Sequence, residues 1–138
     1  MALERPYDSR YGSCGQFEYY ASGEGLARHA RDLLETAAGY QGKLSQKPLE
    51  NLTSRDIFEA HADGDTLALR VLDKAITMWG MAAANMISIF NPEMILFGGG
   101  VFGPAASLIE IIREEAFRWA QPVSANEVSI TVSALGSE

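Results

Sequence analysis

The sequence predicts an α/β fold with more helix than sheet, on three observations. A 25-residue stretch from Thr66 to Phe90 carries apolar residues at helical spacing. Two short segments, Met94 to Phe97 and Val128 to Val132, have the apolar or β-branched character of strands. The first of these runs directly into three glycines and a further helical pattern.

Size and charge narrow the class. A chain of 138 residues fits one domain, and at that length folding removes roughly 68–70% of the unfolded chain's surface from water. Eleven Lys and Arg against eighteen Asp and Glu leave a net charge of −7, the wrong sign for a nucleic-acid backbone or an anionic membrane as the main partner. The single cysteine, Cys14, excludes an internal disulfide framework and any zinc site built from several cysteines of this chain alone, and suits a reducing, cytoplasmic setting. Met1 to Asp8 contain Glu4, Arg5 and Asp8 and no apolar run, so no secretory leader is expected there. The apolar stretch Ala75 to Phe90 has 16 residues and includes Thr77, Asn85 and Ser88, short of the roughly 20 that span a bilayer.

Residues Met1 to Gly15 are polar and turn-rich, through Pro6, Asp8, Ser9, Gly12, Ser13 and Gly15, and predict a loop that extends to about residue 16. From Phe17 to Ala38 the spacing of Leu26, Ala30, Leu33, Leu34 and Ala37 predicts helix, with Ser22 and Gly23 positioned to bend or re-cap it. Gly39 to Asn51, with Gly42 and Pro48, predicts a connecting loop. Thr53-Ser54-Arg55-Asp56 is a capped start for a short helix whose apolar side is Ile57, Phe58 and Ala60. Asp63-Gly64-Asp65 breaks it, and Asp65 caps the long helix from about Thr66 to Phe90, roughly 37 Å at 1.5 Å per residue.

That helix is amphipathic through Leu72, Ala75, Ile76 and Trp79, then apolar nearly all round from Met78, which predicts a central, buried element. Asn91-Pro92 ends it, because the residue before a proline is pushed out of the right-handed helical region and the proline lacks a donor. Met94-Ile95-Leu96-Phe97 is a continuous apolar run, predicted to be a strand buried on both faces. Pro104 suits the first turn of a helix running to about Ala120, with Leu108, Ile109, Ile112, Ala116 and Trp119 inward. Val128 to Val132 alternates and predicts a second strand.

The strand, three glycines and helix form the sharpest local feature. Glycines admit positive φ and let a ligand approach the backbone, while the helix that follows offers free N–H groups and the positive end of its dipole. Gly98 to Gly103 satisfies a dinucleotide GxGxxG pattern, but the residues after the next strand, Ser133, Ala134 and Leu135, include no acid for a ribose. A structural tight turn and a mononucleotide site partly formed by this segment are the other two readings. No phosphate-binding GK[ST] loop and no HExxH pair exist. His29 and His61 fit solvated helix positions, and Cys14 fits an unreactive loop thiol, with no base arranged near it. Glu18 enters an aromatic helix, Phe17-Glu18-Tyr19-Tyr20, where a carboxylate either faces solvent in a first turn or accepts hydrogen bonds from ligand hydroxyls.

Taken together, Gly15-Gln16-Phe17-Glu18-Tyr19-Tyr20-Ala21-Ser22-Gly23, Leu52-Thr53-Ser54-Arg55-Asp56-Ile57, Gly64-Asp65, Asn85 to Glu93 and Leu96-Phe97-Gly98-Gly99-Gly100-Val101 resemble the ROK family of sugar kinases and sugar-responsive repressors. The resemblance runs from about Tyr11 onward. It implies an actin-like ATPase (ribonuclease H-like) fold, of which residues 17–138 would be an incomplete C-terminal lobe and residues 1–16 a degenerate zinc-signature region. It also implies Gly98, Gly99 and Gly100 against the adenosine of ATP, with magnesium in the complete site, and Glu18 toward the hydroxyls of a hexose.

The zinc that family members hold with three cysteines is not expected. On that signature the three positions fall at Ser9, Tyr11 and Gln16, and Cys14 lies at a variable one. The family's phosphate-binding strand, catalytic aspartate and sugar-binding histidine motif would all precede this segment, and phosphoryl transfer needs them. The chain alone is therefore expected to be inactive, with no catalytic residue assigned to it. A homo-oligomer, most simply a dimer, is expected, because the apolar helix needs a cover. A sugar-sensing repressor lobe and a non-enzymatic dimerisation module are the alternatives.

Overall fold

Helix α4 (Thr66–Phe90) is the spine on which the other elements pack. The computed structural model describes residues 8–134. The reading of Met1 to Tyr7 as a loop without a leader, and the last four residues of the lobe expected over 17–138, lie outside those residues. Before α4 come α1 (Gly15–Ala21), α2 (Gly23–Thr36) and α3 (Ser54–Ala62); after it come β1 (Met94–Phe97), α5 (Ile109–Trp119), α6 (Pro122–Ala125) and β2 (Ser129–Val132). No helix among the described residues is long and apolar enough to cross a membrane.

The predicted caps form. Asp65 Oδ1 accepts the N–H groups of Leu67 at 2.9 Å and Ala68 at 3.0 Å, and its Oδ2 accepts the Tyr40 hydroxyl at 2.6 Å. Thr53 and Asp56 form a reciprocal capping box on α3. Ser22 re-caps the chain between α1 and α2, accepting the Gly25 N–H at 2.9 Å. Asn91 ends α4 in the left-handed region (φ 44°), which asparagine tolerates better than most residues, and its N–H bonds the Ile87 carbonyl. The loop before α3 contains two 3₁₀ turns, Lys43–Gln46 and Leu49–Asn51, which send Leu44 and the adjoining Leu52 into the core. The N-terminal loop is shorter than expected: a 3₁₀ turn at Ser9–Tyr11 precedes α1, which starts at Gly15.

The main core joins one face of α4 (Val71, Leu72, Ala75, Trp79) to Leu26 and Ala30 of α2, Ile57 of α3 and Ile112 of α5. Trp79 is 1% exposed and donates its indole N–H to the carbonyl of Ala21 at 3.0 Å, which ties α4 to the end of α1. At Gly80 a Cβ would fall 2.6 Å from Glu115 Cγ and 3.0 Å from the Ala116 backbone nitrogen, so the missing side chain lets α5 approach α4 closely.

β1 and β2 pair in parallel, with Met94 opposite Ser129 and Phe97 opposite Val132. Their inner face, Ile95, Phe97 and Ile130, packs on a second cluster containing Ala83, Ala84 and Ile87. This part of the molecule departs from the sequence expectations. β1 is not buried on both faces: Met94 and Leu96 are 54% and 61% exposed, because among the described residues no layer covers the outer side of a two-stranded sheet. The end of α4 is not enclosed either, with Ile89 70% and Phe90 66% exposed where the helix runs past its partners. Trp119 does not point inward. The small Ala116 and Ala120 take the buried side of α5, and Trp119 lies on the rim with its indole N–H donated to Glu115 at 2.9 Å. Its helix also begins differently, as a 3₁₀ turn over Pro104–Leu108 that α5 continues.

Candidate functional site

β1 delivers the chain at its C-terminal end into the three glycines. Gly99 has φ 92° and ψ 173°, a conformation essentially restricted to glycine. Its neighbours have room for a side chain. A Cβ on Gly98 would meet only Ser133 Cβ at 3.6 Å, an ordinary contact, and one on Gly100 would meet nothing within 4 Å. The backbone there is bare and faces open space, and a ligand could lie flat on it. The segment continues into a 3₁₀ turn, Gly100–Phe102, not directly into an α-helix. Val101 and Phe102 anchor it: Phe102 is buried, with its ring 5.0 Å from Trp79 and 4.7 Å from Phe97.

Gly100 borders a cleft of about 610 Å³ whose far wall is one face of α3. Ser54, Arg55, Phe58 and His61 line that wall, and Pro104 and Ser107 line the side of the triplet. The cleft is open to solvent, and its lining sets the ring of Phe58 among polar and charged groups. Composition gave no sign of this wall. The sequence places Arg55 in the capped start of a short helix and His61 at a solvated position of it, and only the turn that brings Gly100 opposite α3 joins them to the triplet. His61 lines this open cleft and stays partly exposed. The joint between α1 and α2 abuts the same place, since a Cβ on Gly23 would lie 3.3 Å from Val101 Cγ2 and 3.5 Å from Ser54 Oγ.

Glu18 is exposed in the first turn of α1. Its carbonyl accepts the Ser22 hydroxyl at 2.8 Å, one residue before Gly23, so the helix carrying Glu18 is tied to the joint that touches the cleft wall. α1 and α2 themselves meet tightly: a Cβ on Gly25 would fall against the Glu18 carbonyl and 2.7 Å from that of Tyr19.

A tyrosine cluster clamps α1 from the other side. The hydroxyls of Tyr11 and Tyr20 lie 3.1 Å apart, Tyr19 donates to Asp32 at 3.2 Å, and the Arg28 guanidinium sits 4.8 Å from the Tyr19 ring centre. Burial, with the Tyr11 hydroxyl beside it, pushes the Tyr20 hydroxyl up to about 12. His29 meets the edge of Tyr20 at 5.1 Å, and its Nδ1 is buried with no hydrogen-bond partner among the described residues, which corrects the expectation of a solvated histidine. Burial, opposed by Asp32 and assisted by Lys74 and Arg70, holds its pKa below the ordinary value. Cys14 stands at the start of α1, its thiol donates to the Gly15 carbonyl at 3.6 Å, and the Arg28 guanidinium reaches its sulfur at 3.8 Å.

The residues present do not fit zinc. Ser9, Tyr11 and Gln16 offer no thiolate, Tyr11 is engaged with Tyr20, and among the described residues no three His, Cys, Asp or Glu side chains are grouped as metal ligands.

Comparison with known proteins matches residues 5–138 to the model of the ROK family. A glucokinase of Halalkalibacterium halodurans is 32% identical over 127 residues, which are 92% of this chain and 38% of that protein. A ROK family transcriptional regulator, homolog of the E. coli MLC protein, superposes with a TM-score of 0.75 at 26% identity, over 94% of this chain and 33% of its own. A ROK family glucokinase from Streptomyces griseus, solved with glucose and AMPPNP, gives a TM-score of 0.72 at 25% identity, over 89% of this chain and 42% of its own. The chain thus spans less than half the length of these relatives.

Proposed function

The chain belongs to the ROK family and has part of its actin-like ATPase fold, and from that premise we propose that it is the C-terminal lobe of an ATP-dependent hexose kinase of the glucokinase type. On this reading it supplies the adenosine-side and sugar contacts, and the isolated chain does not complete phosphoryl transfer. The observation that carries it is the triplet: Gly99 in a glycine-only conformation, Gly100 bare toward open space, and a cleft of about 610 Å³ beside them. A mononucleotide fits these features better than a dinucleotide, since no acidic residue stands in the three positions after β2.

Gly98, Gly99 and Gly100 would lie against the adenosine, and the exposed carboxylate of Glu18 would accept hydrogen bonds from hexose hydroxyls. Magnesium would come with the nucleotide phosphates, which commonly supply most of its non-water ligands. The described residues provide no acidic cage for it. The exposed end of α4 and the outer face of β1 would be covered by a second copy in a cytoplasmic dimer.

Isothermal titration with Mg-ATP and with glucose tests the reading. Both are expected to bind, and Glu18→Ala should abolish the glucose heat while leaving that of ATP. Absence of nucleotide binding would refute it. The superposition on a transcriptional regulator supports a second reading, a sugar-sensing repressor lobe. Glucose binding without nucleotide binding, together with a helix-turn-helix encoded upstream of Met1, would establish that alternative.

A further inference from the structure

Resting on the reading of Glu18 as a hexose ligand, we propose that Tyr20 and His29 form a latch that sets the position of Glu18 on α1, and that protonation of His29 opens the latch and weakens hexose binding. The need for a latch follows from the length of α1. Its seven residues, Gly15–Ala21, make about two turns, too few to hold a helix without packing. Glu18 and Tyr20 are two residues apart, about 200° around the axis at 3.6 residues per turn, so the arrangement that leaves Glu18 exposed turns Tyr20 toward the body of the protein. There the Tyr20 ring meets the two neighbouring helices. His29 of α2 lies 5.1 Å away with 80° between the ring planes, and the Lys74 ammonium of α4 lies 5.1 Å from the ring centre. The Tyr20 hydroxyl is 3.1 Å from that of Tyr11.

His29 is the member of the latch that can take up a proton near neutrality. Its ring is half-buried, and its Nδ1 is buried with no hydrogen-bond partner among the described residues. The charged and titratable groups that face it are Tyr20 from α1, Asp32 from its own helix, and Lys74 and Arg70 from α4. An imidazolium donates through both nitrogens, so the charged ring would bury an N–H without an acceptor and add a third cation to Lys74 and Arg70. The carboxylate that favours it, Asp32, already accepts the Tyr19 hydroxyl of α1 at 3.2 Å. A charged His29 is therefore relieved by leaving its place. Turned out to water it abandons Tyr20, and turned to Asp32 it abandons Tyr20 and competes with Tyr19. Both exits loosen α1 on the side opposite Glu18. The bonds from Ser22 to the Glu18 carbonyl and from Trp79 to the Ala21 carbonyl involve no group that titrates in this range, so α1 stays attached at its end. Burial holds the His29 pKa below its ordinary value, so the latch is closed at neutral pH and opens in mild acid.

The test is isothermal titration of the 138-residue chain with glucose at about pH 7.5 and about pH 5.5, on the wild type, His29→Phe, Tyr20→Leu and Glu18→Ala, with the circular dichroism of each sample recorded at both values. The wild type is expected to bind glucose about three- to tenfold more weakly at the lower pH, the upper bound being set by one pH unit below the ordinary histidine value of about 6.5. His29→Phe keeps an aromatic ring against Tyr20 without a proton to gain, so its glucose affinity should change less than about twofold between the two. Tyr20→Leu removes the ring and should bind glucose weakly at both, with no pH dependence. A wild-type affinity that moves with pH no more than that of His29→Phe overturns the latch while the Glu18 reading stands. So does a helical signal lost in step with glucose binding, which means that acid unfolds the chain instead of opening one joint. A wild type that binds no glucose at neutral pH, or binds it no better than Glu18→Ala, overturns the Glu18 reading and the latch with it.

Discussion

The two ends of α4 are built from similar residues and meet different fates. Its first half buries Val71, Leu72, Ala75 and Trp79 among α2, α3 and α5, and Trp79 also bonds to α1. Its last turns bury only Ala83, Ala84 and Ile87, while Met86, Ile89 and Phe90 face outward beside an uncovered β1. A parallel sheet is normally covered on both faces. The chain is thus sealed where α1, α2, α3 and α5 meet α4 and open along the end of α4 and the outer face of β1, and it spans less than half the length of its relatives.

The largest predicted effect breaks the sealed end. Trp79→Ala removes the biggest fully buried side chain and should cost about 3–5 kcal/mol in urea unfolding, whereas Phe90→Ala should cost under about 0.5 kcal/mol. Equal costs would mean that the two ends are not different. Next comes Gly80→Ala, which should lose about 1–3 kcal/mol because the new methyl meets Glu115 and the Ala116 backbone. Asp65→Ala should cost about 1 kcal/mol through the α4 cap, in the same assay.

The acid limb of stability sharpens the comparison further. Burial would raise the Asp56 carboxyl, but hydrogen bonds from Lys47 and Thr53 hold it down at about 2; burial acts the same way on Asp65, where bonds from Tyr40 and the α4 backbone prevail. Both carboxylates bind protons more weakly folded than unfolded. Their contribution is full above the unfolded value near 3.8 and is lost as pH falls toward about 2, so acid unfolding should begin in the sealed half. The smallest effect concerns His29. Its lowered pKa means that the unfolded chain takes up the proton first, so stability should decline as pH drops below about 6.5. His29→Phe should flatten that decline, as read from the melting temperature between pH 7 and 5.

Much of this organisation was legible in the residues, for local reasons. Asp65 as a cap, the Thr53 and Asp56 box, the Asn91-Pro92 stop and the two strands each follow from chemistry confined to a few neighbouring positions. What escaped depends on non-local placement. The apolar run of β1 looks the same whether one face is covered or two, and only the assembled sheet distinguishes them. Arg55 and His61 have the composition of a solvated helix face, and become a cleft wall only when Gly100 folds opposite α3. The tyrosine clamp was hidden likewise, since Tyr11 and Tyr20 are nine residues apart and meet through the turn into α1. Of the glycines, the sequence pointed to the segment, and the backbone angles distinguish Gly99 from its neighbours.

On the proposed function, this chain carries ligand contacts of a kinase site without its catalytic apparatus. A coupled turnover assay with glucose and Mg-ATP, run at concentrations where titration shows nucleotide bound, tests it most directly. The account predicts no glucose phosphorylation above background. Turnover comparable to that of an intact glucokinase would contradict it.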